Sequence, residues 1–336
     1  MFKFVEGLPF EGCIYHCQSF QNIFAKIHQG TYKCLRIQTE EKISLFLPLI
    51  LRKVSEDFYE AFSCYGYGGI ITDHINNNNF IDVEALKNFL NKNKIHSLFL
   101  RHTPFISNYK FWPPEFLSLN RITYEAELLL EIKNFQSYKK QLPQKIRASV
   151  NHAEKKNLFV EVVKEPMLDN SLKVFYEIYI SRMKSLKLSN FFYFDFDFFK
   201  KHFHVFGDRC KLIIVKQKNS DKICAGALFL CDFHLSTVHY HLSASSIYGL
   251  KHQANELLIA YSKFYFGINN FKVMQLGGGA KIDESDGLSR FKKKFSDNSN
   301  PFYISRLISN ERRYFEDRNS AKLNNKDLFL IGDAII

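Results

Sequence analysis

The chain has 336 residues, 46% of them hydrophobic, with 35 Phe and 17 Tyr; that is apolar mass for two domain cores and excludes a disordered chain. Its formal net charge of +12 favours polyanionic partners: nucleic acid, phosphate-rich cofactors, sugar nucleotides or an anionic membrane face. Seven scattered cysteines without a C-x-x-C pair argue against a disulfide framework and structural zinc, and fit a reducing cytoplasm.

The N-terminus MFKFVEGLPFEG has no basic region followed by a continuous apolar run, so it does not read as a secretory signal. The most apolar stretch, residues 43–51, is interrupted by Ser44 and Pro48 and is too short to span a bilayer. No transmembrane segment is expected. Residues 32–38 and 43–54 predict an antiparallel strand pair around the polar turn at 39–42. A strand at 58–63 leads into the glycine-rich run Tyr65, Gly66, Tyr67, Gly68, Gly69. The asparagine stretch at 76–79 reads as a loop. Asp82 can cap a helix whose apolar face is Val83, Leu86, Phe89 and Leu90. Strands follow at 96–101, ending on Arg101, and at 121–132.

Residues 139–157 mark the midpoint, a helix with Leu142, Ile146, Val150 and Ala153 on its apolar stripe. Lys145, Arg147, His152, Lys155 and Lys156 occupy the remaining surface. A strand at 158–163 precedes a helix from about Asp169 that turns Leu172, Phe175, Tyr179 and Met183 to a core. The aromatic run at 191–203 suits packing. Residues 211–215, 223–232 and 236–242 form a meander. A helix at 251–266 and a strand at 271–276 close the set, and a strand-like piece follows at 301–308. Both halves run strands, helix, strand, with no repeat at the residue level.

Residues 239–295 carry the chemistry. Strand, helix and strand in this order predict a right-handed crossover between parallel neighbours. Gly277, Gly278 and Gly279 then stand at a strand's carboxyl end, where backbone can approach a ligand. In the last helix Leu288, Phe291 and Phe295 share a stripe. Lys292 lies nearest that stripe, while Arg290 and Lys293 point away. Lys292 is the candidate cation for a developing oxyanion; a lysine snorkelling over an aromatic face is the plain structural alternative. Alternation places His239 and His241 on one face of their strand and Tyr240 on the other. Either histidine can take a proton from an amine, against the alternative of half-buried packing. Asn255 begins the crossover helix and can bond a donor. Asp283, Glu284 and Asp286 read as caps of the last helix. No Ser-His-Asp, Cys-His or Walker pattern occurs.

Taken together, YGYGG, the strand ending at Arg101, KIRASVNHAEKKNLFVEV, HYHLSAS, LGGG and DGLSRFKKKF resemble the FemABX family and its GNAT-like relatives, the polysaccharide-cluster N-acyltransferases. The resemblance spans about residues 43–295. It implies an α+β fold of two tandem GNAT-like domains. Residues 1–140 would bind the acceptor, residues 141–311 would hold the donor, and a tail at about 312–336 would return to the first domain. It implies transfer of an acyl or aminoacyl group to an amine of a cell-envelope precursor. The donor would be acyl-CoA or aminoacyl-tRNA, and no metal is needed. The acceptor would be a small-molecule or lipid-linked amine, with tRNA and peripheral membrane contact as further partners.

In that family a lysine after a phenylalanine stabilises the tetrahedral oxyanion, and Phe291-Lys292 matches the pair. The acceptor residues implied are Tyr65, Tyr67, Gly68, Gly69, Arg101, Arg147 and Tyr240. The donor residues implied are Lys251, Asn255, Gly277, Gly278, Gly279 and Arg290. Two departures stand out. The place of the GNAT pyrophosphate loop, residues 250–254, lacks its glycines, and no long heptad hairpin offers a tRNA arm. A non-catalytic GNAT-like pair that binds RNA or nucleotide is the alternative, and would show steep salt dependence.

Overall fold

The computed structural model describes residues 1–10, 12–73, 81–128, 131–165, 167–218, 220–321, 323 and 329–332. The asparagine stretch at 76–79 lies outside them, as do part of the expected tail and two residues of the strand expected at 121–132. The chain divides into two units, Met1–Ile122 with Asn300–Ile336, and Thr123–Ser299.

The first unit opens with β1 (Phe2–Val5), α1 (Gln18–Ile27), β2 (Thr31–Gln38), β3 (Ser44–Lys53), β4 (Tyr59–Phe62), α2 (Val83–Lys92) and β5 (Ile95–Arg101). The strands pair in chain order and antiparallel, except that β4 and β5 run parallel. A parallel pair needs a crossover, and α2 supplies it. Asp82 Oδ1 accepts from Ala85 N at 2.9 Å, the expected cap, and Val83, Leu86 and Leu90 are buried against Leu35, Leu47, Leu98 and Trp112. Two elements were not among those expected: β1, only four residues long, and α1, which has no side-chain cap although Phe20, Ile23 and Phe24 stand at helical spacing and are buried.

Past β6 (Ser118–Glu127), the second unit contains α3 (Phe135–Gln141), α4 (Gln144–Lys155), β7 (Leu158–Val162), α5 (Leu168–Ser185) and α6 (Phe196–Phe206). It continues through β8 (Cys210–Gln217), β9 (Lys222–Asp232), β10 (Thr237–Ser245), α7 (Ile247–Lys251), α8 (Ala254–Ile268), β11 (Val273–Gly278) and α9 (Gly287–Phe295). Its strand order is β6-β11-β10-β9-β8-β7, with β10 and β11 the parallel pair. The helix expected at 139–157 is split into α3 and α4 at Leu142 and Pro143, because proline cannot continue a helix and biases its predecessor to extended backbone; Leu142 has ψ 144°. The helix expected at 251–266 is also two, α7 and α8, separated where Gln253 adopts a left-handed φ of 59°.

The chain then returns to the first unit through β12 (Asn298–Ile308), whose Ile304–Ile308 pairs antiparallel with β5, and α10 (Glu311–Ser320). A buried Arg52–Glu60 ion pair anchors the end of the chain there, with Glu60 accepting from Ile331 N at 2.8 Å and Gly332 N at 3.1 Å. Among the described residues no helix is long and apolar enough to cross a membrane.

Candidate functional site

The parallel seam of the second unit is open. β10 and β11 pair at three positions only, from Thr237 with Val273 to His239 with Gln275. Beyond that level each strand is irregular toward its other neighbour. β10 slips register against β9 between Tyr240 and Leu242, and β11 slips against β6 between Gln275 and Gly277. A bulge adds a residue to one strand and bends it. β10 goes on with β9 to Ser245, and β11 with β6 to Gly278, so the two diverge and lose their mutual ladder. Backbone groups along the gap can then serve a ligand.

The glycines at the end of β11 shape one side of this gap. Gly277 takes φ 72°, a conformation that costs a side-chain-bearing residue about 1–2 kcal/mol. A Cβ on Gly279 would stand 1.7 Å from Ser289 Oγ, so the glycine lets the first turn of α9 close on the strand. Asp286 caps that turn, accepting from Leu288 N and Ser289 N at 2.9 Å and from Ser289 Oγ at 2.7 Å. Burial alone would raise the Asp286 carboxyl, but these bonds from Ser289, with those from Lys281 and Ala280 N–H, outweigh it and hold the acid well below its usual range.

The buried face of α9 differs from the expected stripe. Leu288 is 46% exposed, whereas Ser289 and Phe295 are buried, because the contact with Gly279 turns Ser289 inward. Lys292, three residues after Ser289 and half-buried, therefore leans inward. Its Nζ donates to Gly278 O at 2.8 Å. Lys294 takes the aromatic contact, 5.6 Å from the Phe295 centroid. Other anchors fix α9: Lys263 Nζ reaches Phe295 O at 3.1 Å and Asp297 at 3.3 Å, Lys294 pairs with Glu256 at 3.2 Å, and the Tyr124 hydroxyl donates to Glu284. Phe291 is half-buried and its ring lies 5.3 Å from that of Phe295.

His239 and His241 stand on either side of Tyr240 on β10, where the strand slips against β9. His239 is fully buried, and burial lowers its pKa to about 3. His241 is half-buried; burial, then His202 and His239, hold it well below the ordinary histidine value. Its ring centroid is 5.3 Å from His202, a residue of α6 whose pKa burial lowers to about 4. All three are neutral near pH 7. Burial raises the neighbouring Tyr240 phenol to about 12.

Asn255 Oδ1 accepts from Ser245 Oγ, tying the end of β10 to the first turn of α8. Lys251 is exposed on α7. Arg290 is exposed and donates to Ser285 O. Arg147 Nη1 donates to Lys140 O at 2.7 Å, capping α3. Of the expected donor residues, the structure gathers Gly277, Gly278 and Gly279 near Lys292, and leaves Lys251 and Arg290 exposed.

In the first unit the YGYGG run is knitted to the end of β5. Ser63 Oγ accepts from Arg101 N at 2.8 Å, and Arg101 Nη1 reaches Ser63 O at 3.3 Å. Gly68 O accepts from Thr103 Oγ1 at 2.8 Å and Asn108 Nδ2 at 2.7 Å. Gly69 takes φ 88° against the Asn108 amide. Tyr67 is buried among Tyr15, Phe105 and Phe302. Tyr65 stacks on Phe24 at 5.4 Å; burial raises its phenol, opposed by the positive charges of Arg101 and Arg121. Tyr65, Gly68, Gly69 and Arg101 thus come together in the first unit, while Arg147 and Tyr240 belong to the second.

Sequence reasoning passed over His202, Lys263 and Tyr124. Lys263 had a signal, a single charge inside the apolar run IAYSKFYF. His202 was hidden in an aromatic run, and Tyr124 had none.

No protein-family model and no curated protein matches the sequence. Solved structures do match. A crystal structure of FemX superposes with a TM-score of 0.62 at 14% identity, covering 91% of this chain and 94% of that one. The C-terminal domain of a putative lysylphosphatidylglycerol synthetase from Agrobacterium fabrum gives 0.53 at 12% identity, covering 87% and 88%. A tandem GNAT protein from the clavulanic acid biosynthesis pathway gives 0.52 at 6% identity, covering 92% and 99%. At these identities the likeness is one of fold.

Proposed function

From the FemABX-like GNAT fold that the chain adopts, we propose that it is an N-acyltransferase. It moves an acyl or aminoacyl group onto an amine of a cell-envelope precursor: an amino sugar, a sugar nucleotide or a peptidoglycan peptide. The observation that carries this reading is the open seam between β10 and β11 with Lys292 Nζ at Gly278 O on its glycine side.

In this reading the donor's carbonyl enters the gap and bonds to strand amides. The neutral amine attacks, a C–N bond forms, and the carbonyl oxygen becomes an oxyanion facing the Lys292 ammonium. Collapse of the intermediate breaks the bond to the donor's thiol or hydroxyl, which leaves with the amine's proton. His239 is sealed and takes no part. His241, neutral and half-buried, accepts a hydrogen bond from the amine and orients it; the burial that keeps it neutral also makes it a weak base. Tyr65 and Arg101 offer a phenol and a guanidinium for an anionic acceptor. The donor favoured is acyl-CoA. Gln253 supplies by its left-handed φ the bend that glycine gives in phosphate-binding loops, and α8 follows with its N-terminal amides.

The test begins with thermal shifts in acyl-CoAs and in charged tRNA, followed by turnover of the stabilising donor with a panel of amines. Lys292→Met should keep its melting temperature and lose turnover about a hundred- to a thousandfold, the cost of one oxyanion donor. A Lys292→Met protein that turns over like the parent sinks the assignment.

A further inference from the structure

The ends of two helices in the second unit build a cationic and apolar surface beside the loop at Gln253. On α7, Ile247, Leu250 and Lys251 stand at i, i+3 and i+4 and so share a face. Ile247 is 87% exposed and Leu250 41%. On α4, His152, Lys155 and Lys156 repeat that spacing, with both lysines exposed. The two ends meet where the His152 and His252 rings stack at 6.0 Å. His252 has its pKa lowered first by loss of hydration and then by Lys156, Lys251 and His152, which marks the cations as close together. Exposed Lys218 joins them, its N–H bonded to Asn157 O at 2.9 Å.

Little negative charge offsets this group. Glu154 is paired with Lys139 at 2.6 Å and Glu256 with Lys294 at 3.2 Å. Among the described residues Lys155, Lys156 and Lys251 form no ion pair. Exposed aliphatic side chains beside unneutralised lysines are the signature of a surface that lies in a bilayer interface. A single-strand nucleic-acid site would instead present aromatic rings for stacking, and here Tyr248 packs its ring 4.3 Å from His252. We propose that the α7 face, Ile247 and Leu250 rimmed by Lys155, Lys156 and Lys251, docks on an anionic lipid membrane.

Vesicle co-sedimentation tests this with the full chain. Binding is expected to phosphatidylcholine vesicles carrying about 30% phosphatidylglycerol and not to phosphatidylcholine alone. Ile247→Ser should weaken partitioning about tenfold, by the loss of one buried aliphatic side chain. Lys156→Glu and Lys251→Glu should each weaken it about tenfold, since each removes an attraction and adds a repulsion. Phe233→Ser is the control: it removes an exposed aromatic at the opposite end of β10 and should leave binding unchanged. Ile247, Lys156 and Lys251 are exposed, so the melting temperatures of their variants should match the parent's. Vesicle binding that Ile247→Ser leaves intact overturns the proposal. So does a Lys156→Glu effect confined to poly(U) RNA, which would assign the face to nucleic acid.

Discussion

The two units share one local plan and finish it differently. Each places a crossover helix between two parallel strands, β4-α2-β5 in the first and β10-α8-β11 in the second. In the first unit the seam is zipped past the strand ends. Ser63 N bonds Phe99 O at 3.0 Å, Ser63 Oγ takes the Arg101 N–H, and Gly68 bridges in parallel to His102. In the second unit pairing stops at His239 and Gln275, and irregularities on both strands carry them apart. The same topology therefore yields a closed scaffold once and a gap once. Capacity for chemistry here lies in register and bulges, not in fold.

Acid is the strongest way to break both seams. Burial lowers His16 to about 4, His96 to about 4 and His102 to about 3 in the first unit, and His202 to about 4 and His239 to about 3 in the second. The unfolded chain titrates these groups near 6.5, so below that pH it binds more protons than the folded one. Stability should fall as pH drops through about 6.5 and keep falling until about 3. By pH 5 each histidine costs about 2 kcal/mol, and five together match the usual stability of a whole domain. Glu60, whose carboxyl burial raises, acts the other way but is a single group. Urea midpoints at pH 7.5 and pH 5 check this; equal midpoints refute it.

Two glycine substitutions then sharpen the contrast. A Cβ on Gly68 would meet Ser63 Cβ at 2.4 Å and Arg101 O at 3.3 Å, inside the zipped seam. Gly68→Ala should cost about 2–3 kcal/mol, as overpacking does, and lower the melting temperature. Gly277→Ala, at φ 72° beside the open seam, should cost about 1–2 kcal/mol, and donor-induced thermal shifts should fall more than stability. Reversed sensitivities would mean that the second seam is the structural one. Ser63→Ala ranks next. It removes the acceptor of a part-buried Arg101 N–H, an expected loss of about 1–2 kcal/mol seen as a lower urea midpoint.

What the sequence disclosed follows the same division. The Asp82 cap, the α8 crossover and the Asp286 cap were legible, because each depends on residues close together in the chain. The open seam was not. Register between strands depends on both partners at once, and nothing in HYHLSAS alone says that Tyr240 and Leu242 will slip against β9. Lys292 was legible as a lysine leaning inward; the rotation of α9 that puts Ser289 against Gly279 and drops Leu288 from the buried face was a tertiary outcome. β1 is too short to show a period; α1 does carry Phe20, Ile23, Phe24 and Ile27 at helical spacing, but no capping residue marks its start as Asp82 marks that of α2.

The smallest effect tests how Lys292 is held. Tyr124 is buried on β6 opposite Gly277, and its hydroxyl bonds Glu284, a residue at φ 57°. Glu284 also lies 3.6 Å from Lys293, so the tyrosine pins the loop that leads into α9. Tyr124→Phe keeps the ring and removes one bond, a loss of about 1 kcal/mol, so the melting temperature should barely move. The loop should nevertheless open more often, because a left-handed glutamate loses a partner that offsets its backbone cost. Limited trypsin digestion reads this directly, since Lys281 and Arg290 flank the pinned segment and are exposed. Cleavage there should quicken about fivefold, the change in open population that 1 kcal/mol gives. Unchanged cleavage would mean that the Asp286 cap and the Lys263 clamp hold α9 by themselves. The support for Lys292 would then come wholly from the second unit's helices and not from its β6 edge.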